Sequence, residues 1–241
     1  MSKALEVKDL FYQYPDGTPA LNGVSLSLKR GEKLAVIGAN GSGKSTLLAH
    51  LAGCFVIESG EILLFDEPVG REPERLRNAV GMIFQDPDDQ LFMPSVLEDV
   101  AFGLISRGMD VPKARELAMK ALEEILIPHL AHRPPHRLSG GEKRMVALAG
   151  ILVMRPDILV LDEPSATLDP RARRRVIDVL RPLDQSMVIA THDLDLALDV
   201  CTGAVIMSGG KITVCGKLPD LLKDKTLLLE NGLELPLKFL S

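Results

Sequence analysis

Gly38-Ala39-Asn40-Gly41-Ser42-Gly43-Lys44-Ser45 decides how this 241-residue chain is read. It fits the pattern G-x-x-x-x-G-K-[ST], and its flanks supply the strand and helix that the pattern needs to carry meaning. Leu34-Ala35-Val36-Ile37 in front of it is a short apolar run ending at glycine, as a buried parallel strand should be. Ser45 to Ala52 behind it reads as a helix closed by Gly53. Glycines let backbone N–H groups converge on phosphate oxygens at the positive end of that helix. Asn40, Gly41, Ser42, Gly43 and Thr46 are the candidate cradle for ATP, Lys44 is placed to reach its β- and γ-phosphates, and Ser45 to ligate Mg²⁺.

Outward from that loop, β-rich stretches at 5–14 and 24–37 are punctuated by Pro15-Asp16-Gly17 and Arg30-Gly31-Glu32, both good turn sequences. Val80-Gly81-Met82-Ile83-Phe84 is another buried strand, ending at Gln85. From Asp86 to Arg137 the pattern becomes helical. Within Lys113 to Ile127, Ala114, Leu117, Ala118, Ala121, Leu122, Ile125 and Leu126 recur at helical spacing and predict one apolar face, bounded by Pro112 and Pro128. Alternation then resumes: strand 158–161, helix 170–182, strand 187–190, helix 194–200. A hairpin of Ala204–Met207 and Lys211–Cys215 follows, turning at Ser208-Gly209-Gly210. The order predicts an α/β fold, a mostly parallel sheet covered by helices on both faces. One domain is expected, with a core of roughly 1–85 and 151–241 and a helical insertion of roughly 86–150.

Two further segments carry chemistry. Ile158-Leu159-Val160-Leu161-Asp162-Glu163 is an apolar strand ending in acids, where a parallel sheet presents ligands. Asp162 is placed to hold Mg²⁺ and Glu163 to polarise the attacking water. Leu138-Ser139-Gly140-Gly141-Glu142 opens a predicted helix over Glu142–Val153, with Ser139 as N-cap and two glycines exposing backbone donors. By itself this is also an ordinary helix start. What sets it apart is position: it stands about 95 residues after Lys44 and 23 before Asp162.

That order, closed by His192 in Ala190-Thr191-His192-Asp193, resembles the ATP-binding-cassette ATPases over nearly the whole chain. The resemblance implies a P-loop NTPase fold with an N-terminal antiparallel β subdomain and an inserted helical subdomain. It also implies a head-to-tail dimer, in which each ATP lies between one copy's P-loop and the other's Ser139, Gly140, Gly141 and Glu142. By the same resemblance Gln85 senses Mg²⁺ and the lytic water, and His192 contacts the γ-phosphate. Asp169 belongs to a loop that crosses the dimer interface, and Tyr14 stacks on adenine, although Phe11 and Tyr12 stand close by. Glu142 occupies a position where the family commonly has glutamine, a change that leaves the backbone donors intact.

Phe84-Gln85-Asp86-Pro87-Asp88-Asp89-Gln90-Leu91-Phe92, with Glu98-Asp99-Val100-Ala101-Phe102-Gly103, resembles the ATPases of energy-coupling-factor importers, especially the cobalt/nickel kind. The resemblance implies integral membrane partners and a place on the cytoplasmic face of the membrane, a vitamin importer being the alternative. The three acids read as a negative patch that could receive a basic helix. Only about 26 residues follow Cys215, which favours a homodimer over pairing with a related ATPase. Non-transport cassette ATPases of DNA repair would need a coiled-coil insertion that the spacing leaves no room for, and those of translation carry two such units.

Net charge is −5, which offers no global electrostatic case for nucleic acid. Cys54, Cys201 and Cys215 have no paired spacing and read as buried thiols, and the first residues show no signal segment. Pro134-Pro135 breaks any common face for His129, His132 and His136, which argues against a metal site. Arg171, Arg173, Arg174 and Arg175 are expected to form a solvated face.

Overall fold

The computed structural model describes residues 2–71 and 73–233. Strands β1 (Lys3–Gln13) and β2 (Pro19–Lys29) pair antiparallel across the Pro15-Asp16-Gly17 turn. β3 (Lys33–Ile37) leads through the glycine loop into helix α1 (Lys44–Leu51). β4 (Ser59–Leu64) and the two-residue β5 (Glu67–Pro68) extend the first sheet to the order β2-β1-β4-β5. α2 (Glu74–Ala79) then delivers β6 (Val80–Ile83). Three helices separate β6 from the next strand: α3 (Val96–Ser106), α4 (Val111–Glu124) and α5 (Gly140–Leu152). The chain continues as β7 (Ile158–Asp162), α6 (Pro170–Leu180), β8 (Ser186–Ala190), α7 (Leu194–Val200), β9 (Gly203–Ser208) and β10 (Lys211–Lys217). Short helices α8 (Leu218–Leu221) and α9 (Lys225–Glu230) close the described chain.

The second sheet has the order β10-β9-β3-β8-β7-β6, parallel throughout except for the β9–β10 hairpin. Its strands are continuous apolar runs because both faces are covered. Alternate residues point to opposite sides. Ala35, Ile37, Leu159 and Leu161 enter the core beneath α3–α7, while Val36, Val160 and Val188 pack with Leu47, Leu48 and Leu51 of α1 against the first sheet. α1 is thus clamped between two sheets, which fixes the glycine loop at its N-terminus. The β9–β10 turn is Gly209-Gly210 with φ of +56° and +74°, the left-handed pair a two-residue hairpin needs.

Three sequence expectations change. The apolar helix predicted to Ile127 ends at Glu124, where Leu126 N–H donates to Glu123 O (3.0 Å) and Ile127 N–H to Leu122 O (2.8 Å). This is a Schellman ending. It puts Leu126 at φ +62° and turns its side chain outward, 82% exposed, off the predicted apolar face. Of the three cysteines only Cys201 is buried; Cys54 and Cys215 are exposed. Arg173 does not belong to a solvated face, because its guanidinium pairs with Asp193 through Nε and Nη2. No helix among the described residues is long and apolar enough to cross a membrane.

Candidate functional site

At the C-terminal ends of β3, β6, β7 and β8 lies a cleft of about 870 Å³. Tyr14, Asn40, Gly41, Gly43, Lys44, Ser45, Thr46, Gln85, Asp162, Glu163 and His192 all line it, residues spread over 179 positions of sequence. The glycine loop is held close to its neighbours. A Cβ on Gly38 would sit 2.3 Å from Met207 O, and one on Gly43, whose φ is +100°, would sit 2.6 Å from Ala20 O. Only glycine fits at either position, and the backbone is left free to face the cleft. Lys44 is almost fully buried, and its Nζ donates to Gly38 O (2.8 Å) and Ala39 O (3.1 Å). Burial pushes its pKa down, opposed by the charges of Glu163 and Asp162.

Asp162 ends β7 with its carboxyl buried and its Oδ1 without a hydrogen-bond partner. Burial pushes its pKa up, against the Ser45 hydroxyl that favours the charged form. Ser42 Oγ beneath the loop is likewise buried and unpaired. A buried carboxylate oxygen with no partner is costly. Together with Ser45 and Gln85 it makes a hard-oxygen set, which suits Mg²⁺ held by one carboxylate, waters and phosphate oxygens. Among the described residues no cluster of three His, Cys, Asp or Glu forms a closed metal cage.

Glu163 stands in the left-handed region at φ +46° and is 6% exposed. Its carboxylate accepts from His192 N (3.1 Å to Oε1, 3.2 Å to Oε2) and from Thr191 Oγ1 (3.2 Å to Oε2), and His192 Nδ1 lies 2.9 Å from Oε2. The rest of the His192 ring is open to solvent in the cleft.

On the opposite wall Tyr14 donates to or accepts from Thr46 Oγ1 at 2.9 Å. Of the three aromatic candidates it is the one that lines the cleft. Tyr12 instead stacks on Phe55 (ring centroids 5.0 Å apart) and meets His50 edge-on at 4.7 Å, while Phe11 is exposed elsewhere.

Ser139, Gly140, Gly141, Glu142 and Asp169 do not line the cleft. They adjoin one another outside it. Ser139 caps α5 in a reciprocal box, Glu142 N–H donating to Ser139 Oγ (3.3 Å) and Ser139 N–H to Glu142 Oε2 (2.8 Å). These bonds hold the Glu142 carboxyl below the usual range. Asp169 caps α6, accepting from Arg171 N (2.8 Å) and Ala172 N (2.9 Å). A Cβ on Gly141 would meet Ala172 Cβ at 2.6 Å, so the two helix starts abut.

Sequence reasoning missed several residues that organise this region. Arg144 is 1% exposed and its guanidinium donates to the carbonyls of Phe84 and Gln85, tying α5 to the end of β6. Glu142 and Lys143 directly before it are also charged, so nothing local sets it apart in the sequence. Lys143 pairs with Asp88 at 2.6 Å, so the predicted negative patch is partly neutralised from within. Asp86 spends an oxygen on Asp88 N, and Gln90 binds the edge strand β6 through Phe84 N and Met82 O. Gly232 and Leu233, from the turn after α9, also line the cleft, with no signal in the sequence.

A family model for ABC transporters matches residues 21–166, more than half of the chain. The energy-coupling factor transporter ATP-binding protein EcfA of Methanothermobacter thermautotrophicus is 41% identical over 96% of this chain and 76% of its own length. Among solved structures, cbiO1 from Clostridium perfringens, part of the ABC transporter complex cbiONQ, matches with a TM-score of 0.81. It is 37% identical, over 95% of this chain and 94% of that one. A dimeric ATP-binding cassette in a post-hydrolysis state, bound to ADP and Pi, matches with a TM-score of 0.80 at 26% identity, over 89% of this chain and 98% of that one.

Proposed function

This chain belongs to the ABC transporter family of ATPases, and from that premise we propose that it powers a membrane importer of the energy-coupling-factor kind, with cobalt or nickel ions as cargo. The observation that carries this reading is a division of surfaces on one chain. The cleft gathers a phosphate cradle, acids and a histidine, while the Ser139–Glu142 cap and Asp169 stand together outside it. A second copy docked head to tail would bring that outer surface over the cleft and complete two equivalent sites.

In this account Asn40 to Thr46 cradle the phosphates of ATP and Tyr14 stacks on the adenine. On nucleotide binding Lys44 exchanges its bonds to Gly38 O and Ala39 O for phosphate oxygens. Mg²⁺, when bound, neutralises charge on the phosphates, and Ser45, Asp162 and Gln85 are the residues that would hold it. Glu163 accepts a proton from the water that attacks the γ-phosphate, and His192 turns its exposed ring to that phosphate. The backbone donors of Ser139, Gly140 and Gly141 on the second copy stabilise the charge that develops there. Closure and reopening of the dimer are the mechanical output.

Transmission to the membrane partner uses a groove formed by Gln90, Leu91, Asp99, Phe102, Gly103 and Met154. Phe92 is 63% exposed and meets Phe102 edge-on at 4.9 Å on its rim. Asp99 fixes the Phe92 and Met93 amides with Oδ1, while its buried Oδ2 has no partner. That oxygen supports a partner helix carrying a cationic or N–H donor among apolar residues. The chain thus sits at the cytoplasmic face of the membrane as a peripheral subunit.

Reconstitution tests the proposal. The chain is co-expressed with its membrane subunits, isolated with them, and assayed in vesicles for ATP-dependent uptake of Co²⁺ and Ni²⁺. Uptake of either ion that stops with Phe92→Asp is the expected result. Uptake of a vitamin without either metal ion would overturn the cargo, and a failure to co-isolate with any membrane protein would overturn the transport role.

A further inference from the structure

Thr191 has no assigned part in the site, yet it is 0% exposed and its hydroxyl makes two bonds. Asp193 N–H donates to Thr191 Oγ1 at 3.0 Å. A carboxylate only accepts, so the hydroxyl proton is committed to Glu163 Oε2, 3.2 Å away. Oε2 also receives the His192 amide at 3.2 Å and lies 2.9 Å from His192 Nδ1, whereas Oε1 receives only the shared amide at 3.1 Å. A carboxylate oxygen offers about two acceptor positions, so Oε2 is saturated and Oε1 alone keeps capacity for a proton.

The support behind Thr191 is equally defined. Asp193 accepts from Ser165 Oγ (2.9 Å), from the Leu196 amide (2.9 Å) and from Arg173 at the start of α6. Ser165 lies on the loop between Glu163 and Asp169, so both ends of the 191–193 loop are tied to the segment that carries the acid. His192 can leave Glu163 by rotating its side chain. Thr191 is buried, and its bond remains.

We propose that Thr191 is a positioning residue for ATP hydrolysis: it holds one oxygen of Glu163 so that the other is the oxygen offered to the attacking water. This rests on Glu163 as the proton acceptor. Thr191 itself is 0% exposed, so its own position is closed to a replacement donor from solvent, and bonds to charged groups are the ones whose removal costs most.

The test is steady-state ATPase activity and ATP binding of the full chain as Thr191→Val and Thr191→Ser, with single-turnover hydrolysis of Glu163→Gln and Glu163→Gln/Thr191→Val. Val keeps the shape and removes the hydroxyl, and is expected to lower kcat about tenfold with the KM for ATP changed less than about threefold. Ser restores the hydroxyl and is expected to recover most of the rate. Where Glu163 has lost its charge, the Val change is expected to add little further loss, since two residues acting through one contact are not additive. Wild-type kcat in Thr191→Val would overturn the proposal, as would an equal loss in the Glu163→Gln background or failure of Ser to recover the rate. Should Thr191→Val not bind ATP, the comparison of Thr191→Ala with Thr191→Ser decides in the same way. Wild-type turnover in Glu163→Gln alone would instead remove the proton acceptor itself, a result that stands apart from any Thr191 variant.

Discussion

At the residue scale the site depends on a few side chains whose environments differ sharply. Tyr14 reaches the cleft by a bond to Thr46 and offers a ring face of the kind that stacks on a base. Stacking of this sort is worth about 1–3 kcal/mol per base. Tyr14→Ala is therefore expected to raise the KM for ATP about tenfold while leaving kcat at saturating ATP within about threefold. Tyr14→Phe, which loses only the Thr46 bond, should cost little in the same kinetics. The cysteines give a second prediction. Burial pushes the Cys201 thiol up to about 12, so it stays protonated throughout the neutral range. The thiolate is the reactive form. Mass spectrometry after alkylation of the native chain at pH 8 should find Cys54 and Cys215 modified and Cys201 intact, with all three modified once the chain is unfolded.

At the element scale the helix starts are where structure and function meet. The Ser139–Glu142 box both ends the irregular segment before α5 and fixes the donors offered outward. Ser139→Ala removes one half of that box and is expected to destabilise the fold by about 1 kcal/mol. Glu142→Gln keeps an acceptor at the same place, so its ATPase rate should stay within about twofold of wild type. Arg144 works at the other end of the same coupling. Arg144→Leu leaves the Phe84 and Gln85 carbonyls without a donor and is expected to cost about 2 kcal/mol, seen as a fall in Tm of roughly 6 °C. An unchanged Tm would show that the guanidinium is not what holds α5 to β6.

Much at this scale was legible in the chain. Continuous apolar runs such as Leu34–Ile37 and Ile158–Leu161 identified the parallel strands, because strands covered on both faces cannot alternate. Glycine signals placed the β9–β10 hairpin at Ser208-Gly209-Gly210, of which Ser208 is the last residue of β9 and the glycine pair makes the turn. β4 was not recognised, since Ser59-Gly60-Glu61-Ile62-Leu63-Leu64 is half polar and gains its order only by pairing with β1. Leu126 was misplaced because a Schellman ending without glycine looks like one more helical turn. Arg173, Arg144 and Thr191 were invisible for a common reason: each acts on a partner 20 to 60 residues away, and no local pattern encodes that distance.

At the scale of the whole molecule, the two-sheet clamp on α1 holds the glycine loop on one wall of the cleft, while the segments expected to cover it sit on separate helix starts. Gln85 connects the two, lining the cleft and holding Arg144 of α5 with its carbonyl. An event in the cleft can therefore move α5 and the groove beside Phe92 together. Such coupling has a use only if a second copy presses its own α5 start onto the first. The most direct measurement is the solution mass of Glu163→Gln by light scattering, with Mg²⁺ and either ATP or ADP. The account predicts twice the mass of one chain with ATP, and the mass of one chain with ADP. A single-chain mass with ATP demonstrably bound would contradict it.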